Sequence, residues 1–246
     1  MNKKFKQFST FLLLLIFSIS LPVSIYILKT GNFDFRISAF DSDEPVNVML
    51  TDKTSTSFKV LWLTQKKVFG AVKINETNDL ISENYETNSH FLQINNLQPN
   101  TSYTITIYSG TKEFPQNIIF NTLTSHVPQD ANYLIFGQVF DKSGTKVQQE
   151  GIVTIELKDN TSSSEILGTT INESGGFQFN LKNMVSLNTG NYFSYNRKLD
   201  SVITIYPAPG EAPIIKTYTY DFTYQKQIPN IYLGDISLDV IPGVSE

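Results

Sequence analysis

Residues 57–64 read SFKVLWLT, and this stretch decides how the first half of the chain folds. In an extended chain, Phe58, Val60 and Trp62 fall on one face and Lys59 falls on the other. A period of two with bulky apolar side chains on one face is typical of a half-buried β-strand. The stretch therefore predicts a strand that packs an aromatic face against a core.

Similar short segments, separated by turn residues, continue on both sides of this strand. Lys66 and Lys67 are interpreted as a turn, and residues 75–89 as a polar loop. Further strands are predicted at residues 46–50, 68–74, 90–94, 103–108 and 118–123. Six or seven short strands over about 80 residues predict a β-sandwich.

Two landmarks resemble a fibronectin type III domain over residues 45–124. The first is the strand that ends in Trp62, and the second reads LQPNTSY from Leu97 to Tyr103. The resemblance implies that Trp62 fills the core. It also implies that the phenol of Tyr103 bonds back to the backbone of the preceding loop.

A second β unit follows a predicted linker at residues 125–132. Its strands are predicted at residues 133–140, 151–157, 166–171, 177–181, 201–206, 215–224 and 231–236. The segments FGQVFDKSG from Phe136 and ESGGFQF from Glu173 resemble carboxypeptidase regulatory-like domains, over residues 133–236. That resemblance implies a transthyretin-like sandwich, usually a non-catalytic module of surface proteins, although residues 183–200 depart from the compact pattern.

The N-terminal segment is apolar and has charges only at its borders. From Phe8 to Leu28 the chain holds 21 residues, 14 of which are Leu, Ile, Phe or Val. A helix of this length spans about 31 Å, which matches a hydrocarbon core of about 30 Å. The segment predicts a transmembrane helix, and a cleaved secretory signal is the alternative.

Charge sets the predicted orientation. Lys3, Lys4 and Lys6 belong to a basic tip at residues 1–7, which is expected to stay in the cytoplasm. The tip and the span at residues 8–28 precede a polar stalk at residues 29–44, the two β units and a tail at residues 237–246. Either an anchor or a cleaved signal exports the β units across the membrane.

Composition narrows the classes of function. Of 19 basic and 23 acidic residues, four lysines lie in or beside the membrane segment, which leaves 15 basic against 23 acidic outside. Such an acidic surface argues against nucleic acid as a partner. The chain has no cysteine, so an exported protein of this kind relies on its cores rather than on disulfides.

No catalytic, cofactor or metal site is predicted. The only histidines, His90 and His126, lie 36 positions apart and without cysteines to complete a zinc site. The acidic stretch DSDE at residues 41–44 is interpreted as a solvated stalk. Asp141 and Glu173 could be imagined as a glycosidase pair, but both stand at turn positions where acidic residues are ordinary.

Aromatic residues of the second unit are the candidate binding surface. Tyr218, Tyr220, Phe222 and Tyr224 share one face at a period of two, and they either contact a partner or line the second core. A loop carries Tyr192, Phe193 and Tyr195, which either bind a ligand or cap the sandwich.

Together these patterns predict an all-β protein with two tandem β-sandwiches after an N-terminal transmembrane helix. The first sandwich is immunoglobulin or fibronectin III-like, and the second is transthyretin-like. The predicted function is a cell-surface module for adhesion, recognition or spacing, whose partner is a surface protein or a glycan. The alternative is a carbohydrate-binding or accessory module for an envelope enzyme.

Overall fold

A computed structural model describes residues 43–123, 133–187, 190–193, 198–221 and 226–234. The predicted membrane segment, the linker, the tail and most of the stalk lie outside these residues. Among the residues that are described, no helix has the length and apolar character needed to cross a membrane. The described residues belong to one compact unit.

The first half forms a sandwich of two antiparallel sheets, as its alternating segments predict. One sheet has the order β1-β2-β5 and the other has the order β4-β3-β6-β7. The strands are β1 (Val46–Thr51), β2 (Phe58–Val68), β3 (Gly70–Ile74), β4 (Leu80–Ser82), β5 (Thr87–Ile94), β6 (Ser102–Ser109) and β7 (Lys112–Asn121).

The core of this sandwich holds the two landmarks that the sequence singles out. Trp62 is fully buried, and the ring of Phe120 packs 4.0 Å from that of Phe58. The backbone N–H of Gln98 donates to the phenol oxygen of Tyr103 at 2.9 Å. This bond is the corner that the fibronectin III resemblance implies, and it ties the loop before β6 to a buried ring.

Three local predictions in the first half are wrong. The segment interpreted as a loop at residues 75–89 contains β4 and the start of β5, because Ile81 pairs with Val72 of β3. Lys66 and Lys67 belong to the exposed end of β2, where the register of its pairing with β5 shifts between Leu63 and Val68. The last strand begins at Lys112, before the predicted residue 118.

The second half forms a second pair of sheets. One has the order β10-β9-β12-β13, and the other has the order β11-β8-β14, with β15 also pairing with β8. The elements are β8 (Leu134–Phe140), β9 (Ile152–Lys158), β10 (Leu167–Thr170), β11 (Gly176–Asn180), a single 3-10 turn (Leu181–Asn183), β12 (Lys198–Tyr206), β13 (Ile214–Asp221), β14 (Lys226–Gln227) and β15 (Ile231–Tyr232).

Strands β8 and β11 contain the two segments that resemble carboxypeptidase regulatory-like domains. They pair antiparallel, and Phe177 lies opposite Gly137. A Cβ atom on Gly137 would lie 2.7 Å from the ring of Phe177, so the glycine leaves the space that the ring fills. The turn before β11 has Gly175 at φ +74°, a conformation that strains other residues.

Replacing Tyr103 with Phe should lower the free energy of unfolding by about 1 kcal/mol, since the Gln98 N–H loses its partner. Guanidinium denaturation, followed by the fluorescence of the single tryptophan, measures this change. Tyr85→Phe is the control, because Tyr85 is exposed. Equal stability of the two variants would contradict a stabilising role for the corner.

Candidate functional site

In the middle of β2, the outer face is buried as completely as the inner face. Phe58, Val60 and Trp62 lie in the core of the first sandwich, whereas Leu61 and Leu63 form a separate cluster with Ile152 of β9. All three members of this cluster are at most 1% exposed. Partly buried side chains surround the cluster: Val46, Met49, Phe91 and Tyr206. The two sandwiches therefore share an apolar joint.

Polar contacts surround this joint. The N–H of Asp52 donates to the carbonyl of Ile166 at 3.0 Å, and its carboxylate accepts the N–H of Gly168 at 2.8 Å. Lys59 pairs with the same carboxylate at 2.7 Å and lies over the ring of Phe91, 5.3 Å from the centroid. Lys59 therefore packs in the joint rather than facing open solvent.

A second set of contacts involves the loop before β9. The N–H of Gly151 donates to the hydroxyl of Ser89 at 2.7 Å in a buried position. Lys67 lies 3.5 Å from Glu150, but both side chains are largely exposed. An exposed pair of this kind contributes little, so the buried Ser89 bond is the stronger constraint on this part of the joint.

Gly168 shows how closely the sandwiches approach. A Cβ atom at this position would lie 2.7 Å from the hydroxyl of Thr51 and 2.9 Å from the side chain of Leu61. Both neighbours belong to the first sandwich, whereas Gly168 belongs to β10 of the second. Even one added methyl group would force the side chains of Thr51 and Leu61 to shift.

A polar network lies directly behind the joint, inside the first sandwich. The ring of His90 stacks on Trp62 with centroids 4.5 Å apart and planes 5° apart. His90 Nδ1 lies 2.7 Å from Glu83 Oε2, and Nε2 lies 3.0 Å from the Thr64 hydroxyl. The His90 side chain is 0% exposed and that of Glu83 is 3% exposed, so no substrate can reach them.

Glu83 also binds the backbone on both sides of this network. Its Oε2 accepts the N–H of Gly70 and its Oε1 accepts the N–H of Phe91, each at 3.0 Å. One buried carboxylate thus fixes the start of β3 and the middle of β5. The arrangement of Thr64, His90 and Glu83 follows the order of a catalytic triad, but its burial indicates a structural role.

Two clefts open at the edges of the joint. One has a volume of about 350 Å³ and is lined by loops of both sandwiches, including the exposed Tyr85. The other, of about 320 Å³, is lined by residues that include Asp52, Lys59, Leu167 and Lys182. Both clefts exist only because the sandwiches meet, which makes the joint the candidate functional site.

Of the aromatic residues predicted as a binding surface, the structure describes the side chains of Tyr192, Phe193 and Tyr218. Phe193 is 1% exposed and lies in the second core, which closes it to a ligand. Tyr218 is half-buried against that core, and burial raises the pKa of its phenol. Burial also raises the pKa of the half-buried Tyr192. Tyr195, Phe222 and Tyr224 and the side chain of Tyr220 lie outside the described residues.

The residues considered as catalytic or metal-binding candidates are not brought together either. Asp141 and Glu173 line different clefts, and a hydrogen bond from Ser143 lowers the pKa of the Asp141 carboxyl. His126 lies outside the described residues. Where the structure is described, no three His, Asp or Glu side chains are grouped so as to hold a metal ion.

Glu83→Gln should lower the free energy of unfolding by about 3 kcal/mol, because an amide offers only one acceptor atom to a buried network built around a carboxylate. Chemical denaturation followed by Trp62 fluorescence measures the loss. Glu86→Gln, at an exposed position three residues away, is the control. A loss no larger than that of the control would show that the network contributes nothing.

Residues 43–121 match the fibronectin type III domain family. No curated protein sequence matches the chain. Among solved structures, similarity extends to the central fibronectin-III array of RIM-binding protein, at 18% identity and a TM-score of 0.28. That alignment covers 74% of this chain and 65% of the array, which is just under two thirds of its length.

Two further structures give comparable values. A two-domain fibronectin type III segment of chicken tenascin is 12% identical, with a TM-score of 0.25 and coverage of 72% of this chain and 100% of that chain. The TIE protein of Bacillus anthracis is 11% identical, with a TM-score of 0.27 and coverage of 70% and 31%. The family match therefore assigns a fibronectin type III domain to residues 43–121, which the structure forms as a sandwich of β-strands.

Proposed function

We propose that this protein is a membrane-anchored surface module whose two sandwiches act as one rigid spacer carrying a recognition surface. The observation that carries the proposal is the apolar joint of Leu61, Leu63 and Ile152. Modules joined only by a linker move relative to each other unless their interface is large and hydrophobic. Bending at this joint would expose three buried aliphatic side chains to water.

A rigid pair of sandwiches is suited to holding a surface at a fixed distance and orientation. Fibronectin III-like sandwiches are typical of adhesion and recognition modules, which agrees with such a role. The only triad-like arrangement in the described residues is sealed in the core. We therefore favour binding and spacing over catalysis as the function of the exported part.

The membrane attachment rests on the sequence between Phe8 and Leu28. Its 14 strongly apolar residues favour insertion by about 4 to 8 kcal/mol before the polar residues are subtracted. The leading lysines favour an N-terminus in the cytoplasm, with both sandwiches on the other side of the membrane. Signal cleavage would release the same sandwiches as a secreted protein.

For the second sandwich we propose a carboxypeptidase regulatory-like domain. The two sequence segments that carry the resemblance lie side by side as β8 and β11. Gly137 and Gly175 both have local reasons to be glycine, one in packing and one in its backbone conformation. These features support the resemblance, which implies a non-catalytic module that accompanies the first sandwich.

The rigidity of the joint can be measured with a pair of spin labels, because the chain has no native cysteine. Ile119→Cys in β7 and Thr217→Cys in β13 place one label on an exposed strand position of each sandwich. Double electron–electron resonance on the full chain in detergent should give one narrow distance distribution. A broad distribution would contradict the rigid spacer.

Adding Gly168→Ala to the labelled protein should broaden or shift that distribution, because the methyl group collides with Thr51 and Leu61. Overpacking of this kind should also cost about 1–3 kcal/mol of stability. Gly176→Ala is the matched control, because the nearest atoms there belong to the side chains of Asn172 and Ser174. An unchanged distribution with Gly168→Ala would show that the modules do not meet at this glycine.

The anchor is tested by replacing Leu14 and Leu15 together with Arg. Two arginines inside the span cost at most about 5 to 7 kcal/mol, which offsets most of the favourable insertion energy. The parent chain should fractionate with membranes, retain Met1 on N-terminal sequencing and expose its sandwiches to an external impermeant label. The double variant should lose membrane fractionation and external labelling while it keeps Met1, and a parent chain recovered in the cytosol would overturn the anchor.

A further inference from the structure

The cleft of about 350 Å³ at the joint is a composite of both sandwiches. The first sandwich contributes Lys67, the loop residues Tyr85 and Glu86, and the start of β5. The second contributes the segment before β9, with Gln149 and Glu150, and the end of β10, with the turn that follows it. Its volume lies at the lower end of the range of about 300–1,000 Å³ typical of small-molecule sites.

Buried contacts hold the base of the cleft in place. Ser89 accepts the buried N–H of Gly151 at 2.7 Å, and Ile171 is only 4% exposed. The apolar joint and this hydrogen bond hold the two walls in place without a ligand. A preformed cleft loses little conformational entropy when it binds, which favours even small ligands.

Tyr85 gives the cleft an exposed aromatic ring. It is 59% exposed, whereas Trp62, Tyr103 and Phe193 are buried. A single exposed aromatic side chain is ordinary on a protein surface, but Tyr85 lines a cleft whose other lining residues are mostly polar. An aromatic face beside hydrogen-bonding groups can stack on the C–H face of a sugar ring.

The charges of the lining residues determine which ligand charge the cleft favours. Carboxylates come from Glu86, Glu150 and Glu173, and the only lysine in the lining, Lys67, already lies 3.5 Å from Glu150. This excess of negative charge disfavours phosphates and acidic polysaccharides. Carboxylate and amide oxygens instead accept hydrogen bonds from hydroxyl groups.

We propose that this cleft binds a neutral oligosaccharide. Tyr85 stacks on one sugar ring, and Gln149 and Glu150 accept hydrogen bonds from its hydroxyls. The inference deepens the recognition role proposed above and rests on it, because the cleft exists only while the sandwiches stay docked. It does not depend on whether the N-terminal segment is retained or cleaved.

Isothermal titration calorimetry on the full chain, in a detergent without a sugar headgroup, tests this inference. The probes are chitotetraose, cellotetraose and maltotetraose, with a hyaluronan tetrasaccharide as the acidic comparison. At least one neutral probe should bind at sub-millimolar to millimolar concentration, and the acidic probe should bind more weakly. Tyr85→Ala should weaken binding about tenfold, as expected for the loss of one stacked ring.

Leu80→Ala is the control variant, because Leu80 is 61% exposed on β4 and does not line the cleft. Its affinity for the neutral probes should equal that of the parent chain.

An affinity that Tyr85→Ala leaves unchanged, or tighter binding of hyaluronan than of the neutral probes, would overturn the inference. If none of the three neutral probes binds to a protein whose spin-label distance distribution is narrow, the inference is also overturned. The rigid spacer would still stand in that case. A broad distance distribution would instead overturn the proposed function itself.

Discussion

The contact of Leu61 and Leu63 with Ile152 is the constraint on which the arrangement of the two sandwiches depends. The side chains on the two faces of β2 pack in two different apolar clusters. Fully burying three aliphatic side chains of this size stabilises the contact by roughly 5–9 kcal/mol as an upper estimate. Because the sandwiches belong to one chain, they meet at high effective concentration, and much of this energy stabilises docking.

The first sandwich could be predicted from the sequence because its signals are local. The alternation around Trp62 and the turn before Tyr103 each occupy a few neighbouring residues. The joint could not be predicted in this way. Leu61 and Leu63 are visible as apolar residues in SFKVLWLT, but their partner Ile152 belongs to another strand of another sandwich. A period of two shows that a face is apolar without showing what covers it.

The aromatic residues illustrate the same limit. Phe193 and Tyr218 suggest a binding surface by composition, but the chain turns them toward the second core. Tyr85 lies in a segment interpreted as a polar loop, yet it lines the cleft at the joint. The difference is set by tertiary packing, because burying an aromatic ring in a core is favourable wherever the backbone permits it.

Strand β5 connects the interior of the first sandwich to the joint. Its residues alternate, so His90 points inward to Trp62 while Ser89 and Phe91 face the second sandwich. Glu83 bonds both the ring of His90 and the N–H of Phe91, and it thereby fixes inward and outward residues together.

The register of β5 is therefore set by a buried polar network as well as by apolar packing. A slip of one residue would exchange the two faces and remove Ser89 from Gly151. The same slip would displace the loop that carries Tyr85, since that loop ends where β5 begins at Thr87. The network inside the core, the docking of the sandwiches and the shape of the cleft thus depend on one strand register.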